Sequence, residues 1–312
     1  MALQQEIWVS DIQNSLNQNA AFLPMSTDHS AYVAFKTVHV PQSGANPTAV
    51  VNPTSFPLTI SERTDTDLTY SLNQFALQPT LITNIDELQV SYDKRQSVIG
   101  QQMSTLTEII GNTVANSWAA AGTDAIVRTS GGTGGALAPS ATGTRALVAL
   151  ADIANMAKKL DKDNAPSTGR VLLMNADMFW ELFTISEVVR ASYNGFGSSV
   201  LASGVVAQLF GFSIYVRPTV AIYTNAAPPV IKALSNGYYT GAATDNLGCI
   251  AWHPAFVSRA LSSMTPMYDA GSNGNGKPEY LGSIFNMEVM LGSAKLRTDM
   301  KGVVALVQTK LT

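Results

Sequence analysis

A mixed α+β fold is predicted by three features of this 312-residue chain: one long helical stripe, a middle region where helices and strands alternate, and a strictly alternating apolar run near the C-terminus. The stripe consists of Ile99, Met103, Leu106, Ile110, Val114 and Trp118, whose spacing keeps one apolar face in line over about five turns. In the middle, an amphipathic helical pattern is followed by an uninterrupted apolar strand and a second, short helix. Near the end, Phe285, Met287, Val289 and Leu291 take every second position and so line one face of a strand. No internal repeat is visible, so solenoids and propellers are not expected.

Taken in order, residues 1–34 scatter single apolar side chains (Ile7, Trp8, Ile12, Leu16, Phe22, Leu23) among many Gln and Asn, and read as an extended N-terminal arm. Residues 35–82 are rich in Thr, Val, Ser and Pro, contain the Asn46-Pro47 and Asn52-Pro53 steps, and alternate through Thr66–Leu72. Strands and turns fit this composition and a helix does not. The apolar residues are too scattered for a core of their own, which predicts an extended β-hairpin loop that needs a neighbour to cover it.

Residues 83–144 carry the long helix, with a start at the Asn84-x-x-Glu87 capping box or nearer Ser91 and a stop at Gly122. Gly100 and Gly111 interrupt it, each costing about 1 kcal/mol relative to Ala, and are read either as packing sites or as bending points. The run from Thr129 to Thr144 is a flexible loop by composition.

Residues 145–250 open on a second helix, from about Arg145 to Asp161, with Leu147, Leu150, Ala154, Ala157 and Leu160 on one face. Lys158, Lys159 and Lys162 sit near its end, where positive charge is favourable, and Pro166 closes it. A buried strand Val171–Met174 follows, then a short helix capped by Asn175 and running through Phe183. The stretch from Arg190 to Arg217 is poor in charge, and a strand from Phe212 to Val216 ends at Pro218. Further strands are expected at 247–252 and 256–261. The alternating strand falls in 251–295 and a last one, Gly302–Val307, in 296–312.

Only 13% of the residues are charged, against about 25% in an ordinary soluble chain, so much of the surface is expected to lie under other protein. Another copy of the same chain is the first partner this suggests. Polar residues interrupt every long apolar stretch, so no membrane span is expected. The opening MALQQEIWVS lacks a basic region followed by an apolar core, and the single Cys249 has no internal partner, so neither a secretory leader nor a disulfide framework is expected. A net charge of −3 without a Lys/Arg cluster argues against tight binding to phosphate backbones.

No catalytic, cofactor-binding or metal-binding residue is assigned. His29, His39 and His253 have no spacing that would build a metal site from one helix. A Gly-x-Ser-x-Gly elbow is absent, and Cys249 sits in an apolar run as a small core residue. The pairs Asp65/Asp67 and Asp161/Asp163 do not complete a calcium loop, because Thr69 and Ala165 stand where a third oxygen ligand is needed, and both pairs read as solvated or salt-bridged. Gly131–Gly135 lacks the Gly-Lys-Ser/Thr of a phosphate-cradling loop. Trp8, Trp118, Trp180 and Trp252 are read as packing anchors, not as a base-stacking platform.

The order of parts resembles the tailed-phage major capsid proteins of the Hong Kong 97 type. The resemblance is carried by Arg63-Thr-Asp-Thr-Asp-Leu-Thr-Tyr-Ser-Leu72, Tyr92-Asp-Lys-Arg-Gln-Ser-Val98, Arg170-Val-Leu-Leu-Met-Asn175, Leu209-Phe-Gly-Phe-Ser-Ile-Tyr-Val216 and Ile284–Leu291. It implies a Hong Kong 97-like fold with an N-terminal arm (1–34), extended hairpin loop (35–82), peripheral domain with spine helix (83–144), axial domain (145–250), peripheral return strands (251–295) and a C-terminal strand of the axial domain (296–312).

In function it implies self-assembly into pentamers and hexamers of an icosahedral phage head that encloses double-stranded DNA without sequence-specific binding, and no enzymatic activity. Assembly in the host cytoplasm, a place in the virion, and scaffold, portal and head-completion proteins as partners are implied with it. The arm begins almost at once, which favours a separate scaffold. Some members cross-link a Lys to an Asn of another subunit; no such pair is carried over, and Lys36 is a candidate by location only. The alternative is an encapsulin-like nanocompartment shell, which shares the fold and encloses a cargo enzyme.

Overall fold

The computed structural model describes residues 21–44, 48–58, 60, 62–83, 94–182, 208–269 and 282–311. In chain order the strands used below are β1 (Thr37–Gln42), β2 (Thr66–Ser71), β3 (Asn73–Ala76), β4 (Thr80–Thr83), β5 (Ile126–Arg128) and β6 (Arg170–Asn175). They continue with β7 (Phe212–Arg217), β8 (Ala221–Tyr223), β9 (Asn246–Trp252), β10 (Val257–Asp269), β11 (Gly282–Lys295) and β12 (Val303–Val307). The helices are α1 (Lys94–Trp118), α2 (Leu150–Lys162) and α3 (Ala176–Leu182).

The apolar runs Val171–Met174 and Val303–Val307 carry no polar break because their strands are covered on both faces. They belong to a mixed sheet of order Gln208–Leu209, β7, β6, β9, β12, β5, in which β8 shares β9 with β6. Strand β6 runs parallel to β7 and antiparallel to β9, and β12 runs antiparallel to β9 and parallel to β5. Period-two alternation sends Val171, Leu173, Ile250, Trp252, Val303 and Ala305 into a core shared with α1. Their neighbours Leu172, Met174, Cys249, Ala251, Val304 and Leu306 face a second core, closed by α2 and α3.

The α1 stripe behaves as its spacing predicts: Met103, Leu106, Ile110, Val114 and Trp118 are buried and Ile99 packs against the same core. Its last carbonyls are satisfied by Lys295, whose Nζ donates to the Ser117 and Ala119 oxygens at 3.1 and 2.9 Å. The Asn84 and Ser91 starts considered for this helix lie outside the described residues. The other wall of the first core is the long antiparallel pair β10–β11, where Phe285, Met287, Val289 and Leu291 point inward as their alternation requires. Strand β11 is flanked by β3 and β4 on its other side. Along the outer edge of β10, among the described residues, only Thr27–Asp28 pairs, with Ser258 and Arg259; beyond it the ladder has a bulge between Leu261 and Ser263 and then Pro266.

Two expectations are corrected. The second helix starts at Leu150, not Arg145: Thr144–Arg145 pairs as a short strand with Lys310–Leu311, and Asp152 accepts from the Ala149 N–H to close the N-terminus. Arg145 is fully buried and donates to the Thr142, Thr144 and Asp245 carbonyls, a role incompatible with a helix start. The run 129–144 is not slack either. Gly131 N–H donates to Leu147, and Gly134 and Gly135 N–H to Arg145. A Cβ on Gly131 would lie 2.5 Å from the Leu147 oxygen, so glycine is there for close backbone approach and not for looseness.

Candidate assembly surfaces

A hairpin whose own strands bury little must rest on something, and β1 and β2 rest on the body. Val38 and Leu72 are buried with Ala260 in a third, small core, with Val33, Val40, Tyr70 and Met290 packed around it. Gly292 on β11 makes this possible: a Cβ there would meet the Ser71 oxygen at 3.1 Å. At the far end of β1, Gln42 Nε2 donates to the Leu296 carbonyl.

The connection from β1 to β2 is different. Between residues 48 and 67 every described residue except Pro53 is exposed, including Val50, Val51, Phe56, Leu58 and Ile60. Ile60 is 95% exposed and Val51 84%. Its base is tied by Asp65, which accepts from Gly44 N–H at 2.9 Å and from Arg63 at 2.7 Å. These bonds hold the Asp65 carboxyl below its usual range. Five large apolar side chains left exposed by this subunit form the clearest association surface of the described residues.

The N-terminal segment has both a seated and an open part. Phe22 stands edge-on to Trp118 at 5.9 Å and to Trp252 at 6.3 Å, and the two indoles lie 5.2 Å apart. Trp252 Nε1 donates to the Met25 carbonyl at 2.8 Å and Trp118 Nε1 to Ser258 at 3.1 Å, so residues 22–28 are fastened to the body. Tyr32 and Phe35, immediately after, are open to solvent. Ile7, Trp8, Ile12 and Leu16 lie outside the described residues, as does most of the charge-poor stretch after Arg190.

The residues weighed for chemistry are dispersed. His39 Nδ1 meets Asp67 Oδ2 at 2.6 Å across the hairpin, His29 Nδ1 lies 3.4 Å from Tyr70 Oη, and His253 Nδ1 accepts from Ala255 N–H. Asp161 pairs with Arg170 at 2.6 Å and Asp163 with Lys159 at 2.6 Å. Among the described residues no group of three His, Cys, Asp or Glu could hold a metal ion. Cys249 is buried against Met178, and desolvation pushes its thiol up to about 12, the opposite of an activated nucleophile. Trp118 and Trp252 are packing anchors as expected; Trp180 is not, being 64% exposed on α3, and Trp8 lies outside the described residues. Gly131–Gly135 is lined by backbone carbonyls, which repel a phosphate.

Sequence reasoning missed Phe35 because nothing in the linear pattern distinguishes it from an ordinary strand residue. It also missed the carboxylates that organise the 129–149 loop. Glu181 accepts from Ala136 and Val148 N–H at 2.8 and 3.0 Å, and Asp152 from Ser130 and Ala149.

A family model described as phage capsid protein matches residues 80–268. No curated protein sequence matches the chain. Among solved structures, it is similar to one from Mycobacterium phage Che8, at 18% identity and a TM-score of 0.61, covering 91% of this chain and 90% of that one. The capsid structure of the cyanophage P-SCSP1u is similar at 17% identity and a TM-score of 0.61, over 90% of this chain and 86% of that one. The capsid asymmetric unit of cyanophage Pam1 is similar at 12% identity and a TM-score of 0.61, over 93% and 92%. At such identities the likeness is one of fold, and that fold is the mixed α+β architecture of the Hong Kong 97 type.

Proposed function

Because this chain belongs to the phage capsid protein family, we propose that it is a major capsid protein whose copies self-assemble into the pentamers and hexamers of an icosahedral head around double-stranded DNA. The observation that carries this reading is the connection between β1 and β2, where five large apolar side chains, Val50, Val51, Phe56, Leu58 and Ile60, are exposed within one short stretch of chain. Burial of apolar surface is worth about 25 cal/mol per Å², so covering five such side chains on a neighbour supplies a large share of a contact repeated around the shell. Work of this kind needs no catalytic group, and the scattered, paired or buried state of each His, Cys and Asp considered above is consistent with a subunit that performs no chemistry. Scaffold, portal and head-completion proteins are the partners a closed head requires, and DNA is enclosed without sequence readout by a chain of net charge −3. Assembly in the host cytoplasm follows from the same reading.

The test is excision. Replacing residues 45–62 by a short Gly-Ser linker keeps β1, β2 and the tie of Asp65 to Gly44 and Arg63, so circular dichroism should show a folded subunit with an unchanged melting profile, while electron microscopy and sedimentation should show subunits or small oligomers in place of shells. Shells of normal size and yield from this variant would refute the role given to the loop.

A further inference from the structure

A two-residue hairpin turn joins Val33–Ala34 to β1, with Val33 opposite Val38 and Ala34 opposite Thr37. Its two central residues are Phe35 and Lys36, and both have positive φ, +48° and +66°. This backbone normally takes Asn-Gly, because a Cβ crowds the following carbonyl in the left-handed region; an aromatic residue there is an outlier. The turn is nonetheless held firmly. Leu72 N–H donates to the Lys36 carbonyl at 2.9 Å and Thr37 Oγ1 to the Ala34 carbonyl at 2.9 Å. What the strain presents is a phenyl ring with a relative exposure of 102%, three residues after Tyr32 at 70%.

The strained backbone and the wetted ring are both unfavourable; the hydrogen bonds of the turn hold the first, and no burial within this subunit offsets the second. We propose that Phe35 is an interface anchor, held out by its turn to insert its ring into the surface of a neighbouring copy of this chain, with Tyr32 as its flank. The occupant is a second copy because β1 (Thr37–Gln42) starts at this turn and its other end leads into the connection that carries the exposed side chains, so the anchor and the proposed assembly loop belong to opposite ends of one strand. Exposed aromatic side chains that enter a neighbour's pocket are the residues on which interfaces most depend. This inference rests on the shell reading given above.

The experiment uses the full chain under conditions where the unaltered protein forms shells. Replacing the turn by the sequence it would otherwise favour, Phe35→Asn with Lys36→Gly, should raise the melting temperature of the free subunit while raising the concentration needed for shell formation by about tenfold. A subunit that is stabilised and assembles as readily as before would overturn the anchor and leave the shell reading intact. An unaltered chain that forms no shells at any concentration would overturn the shell reading and the anchor with it. A second measurement does not depend on the double variant folding: a photoreactive benzoylphenylalanine at position 35, irradiated in assembled particles, should give a covalent dimer of this chain by mass spectrometry. Attachment to a different polypeptide, or no attachment, would overturn the assignment of a second copy as the occupant.

Discussion

Gly100 and Gly111 carry the same signal in the sequence, a glycine inside a long helix, and the structure separates them. A Cβ on Gly111 would fall 2.7 Å from the Arg217 guanidinium, which lies 5.4 Å over the Phe22 ring and donates to Asn112 at 3.2 Å. Around Gly100 nothing lies within 4 Å, and the site is exposed. The packing explanation therefore belongs to Gly111 alone. Gly100→Ala should stabilise the subunit by up to about 1 kcal/mol through helix propensity, whereas Gly111→Ala should gain clearly less, because the half-buried Arg217 guanidinium must leave its place over Phe22 and Asn112 to make room. Chemical denaturation of the two variants side by side checks this order. Burial of Cys249 was legible because an apolar strand run surrounds it; the burial of Arg145 was not, because its carbonyl partner on Asp245 is distant in sequence.

Elements whose signal repeats along the chain were readable, and those defined by a distant partner were not. The α1 stripe and the inward face of β11 follow from spacing alone. By contrast, the loop from Thr129 to Ala149 has the composition of a flexible linker, and its order comes from side chains elsewhere. Glu181 on α3 places one carboxylate oxygen on Ala136 N–H and the other on Val148 N–H, and Gln308 Nε2 donates to the Ala136 carbonyl at 2.9 Å. Glu181→Ala strands two donors, one of them buried, and should cost about 3 kcal/mol; Glu181→Gln keeps one acceptor and should cost roughly half as much. Thermal denaturation ranks the three proteins, and limited proteolysis between residues 129 and 149 should accelerate in the same order. The hairpin reading was legible in outline from the alternation at 66–72. That its strands would rest on β10–β11 and leave only the connection open depends on Gly292, whose importance no local pattern reveals.

For the whole molecule, acid sensitivity follows from where its titratable groups sit. Burial lowers the His29 and His253 pKa below the ordinary 6.5, so the fold favours their neutral forms. That contribution is complete above about pH 6.5 and is lost as pH falls through the folded values. Carboxylates act lower. The Arg297 hydrogen bond holds Asp299 well below the ordinary 3.8; at Asp28 burial pushes upward but the Ser30 hydrogen bonds and the Arg259 charge outweigh it. Both contributions are present above about pH 4 and lost beneath it. Denaturation midpoints of the subunit should thus hold steady between about pH 7 and 8, begin to decline below about 6.5 and drop more steeply below about 4. A subunit equally stable at pH 5 and pH 8 would contradict this account.

The outer edge of β10 bears on this same scale. Beyond the pairing with Thr27–Asp28 it offers a long row of backbone groups, yet the bulge after Leu261 breaks their rhythm and Pro266 has no N–H to give. Where many identical chains are crowded side by side, a regular edge would be a template for indiscriminate zippering into fibrils. The kinked edge closes that off-pathway route, so errors of growth should arise from the sticky apolar loops, whose contacts are non-directional and can be undone and remade until the copies fall into place.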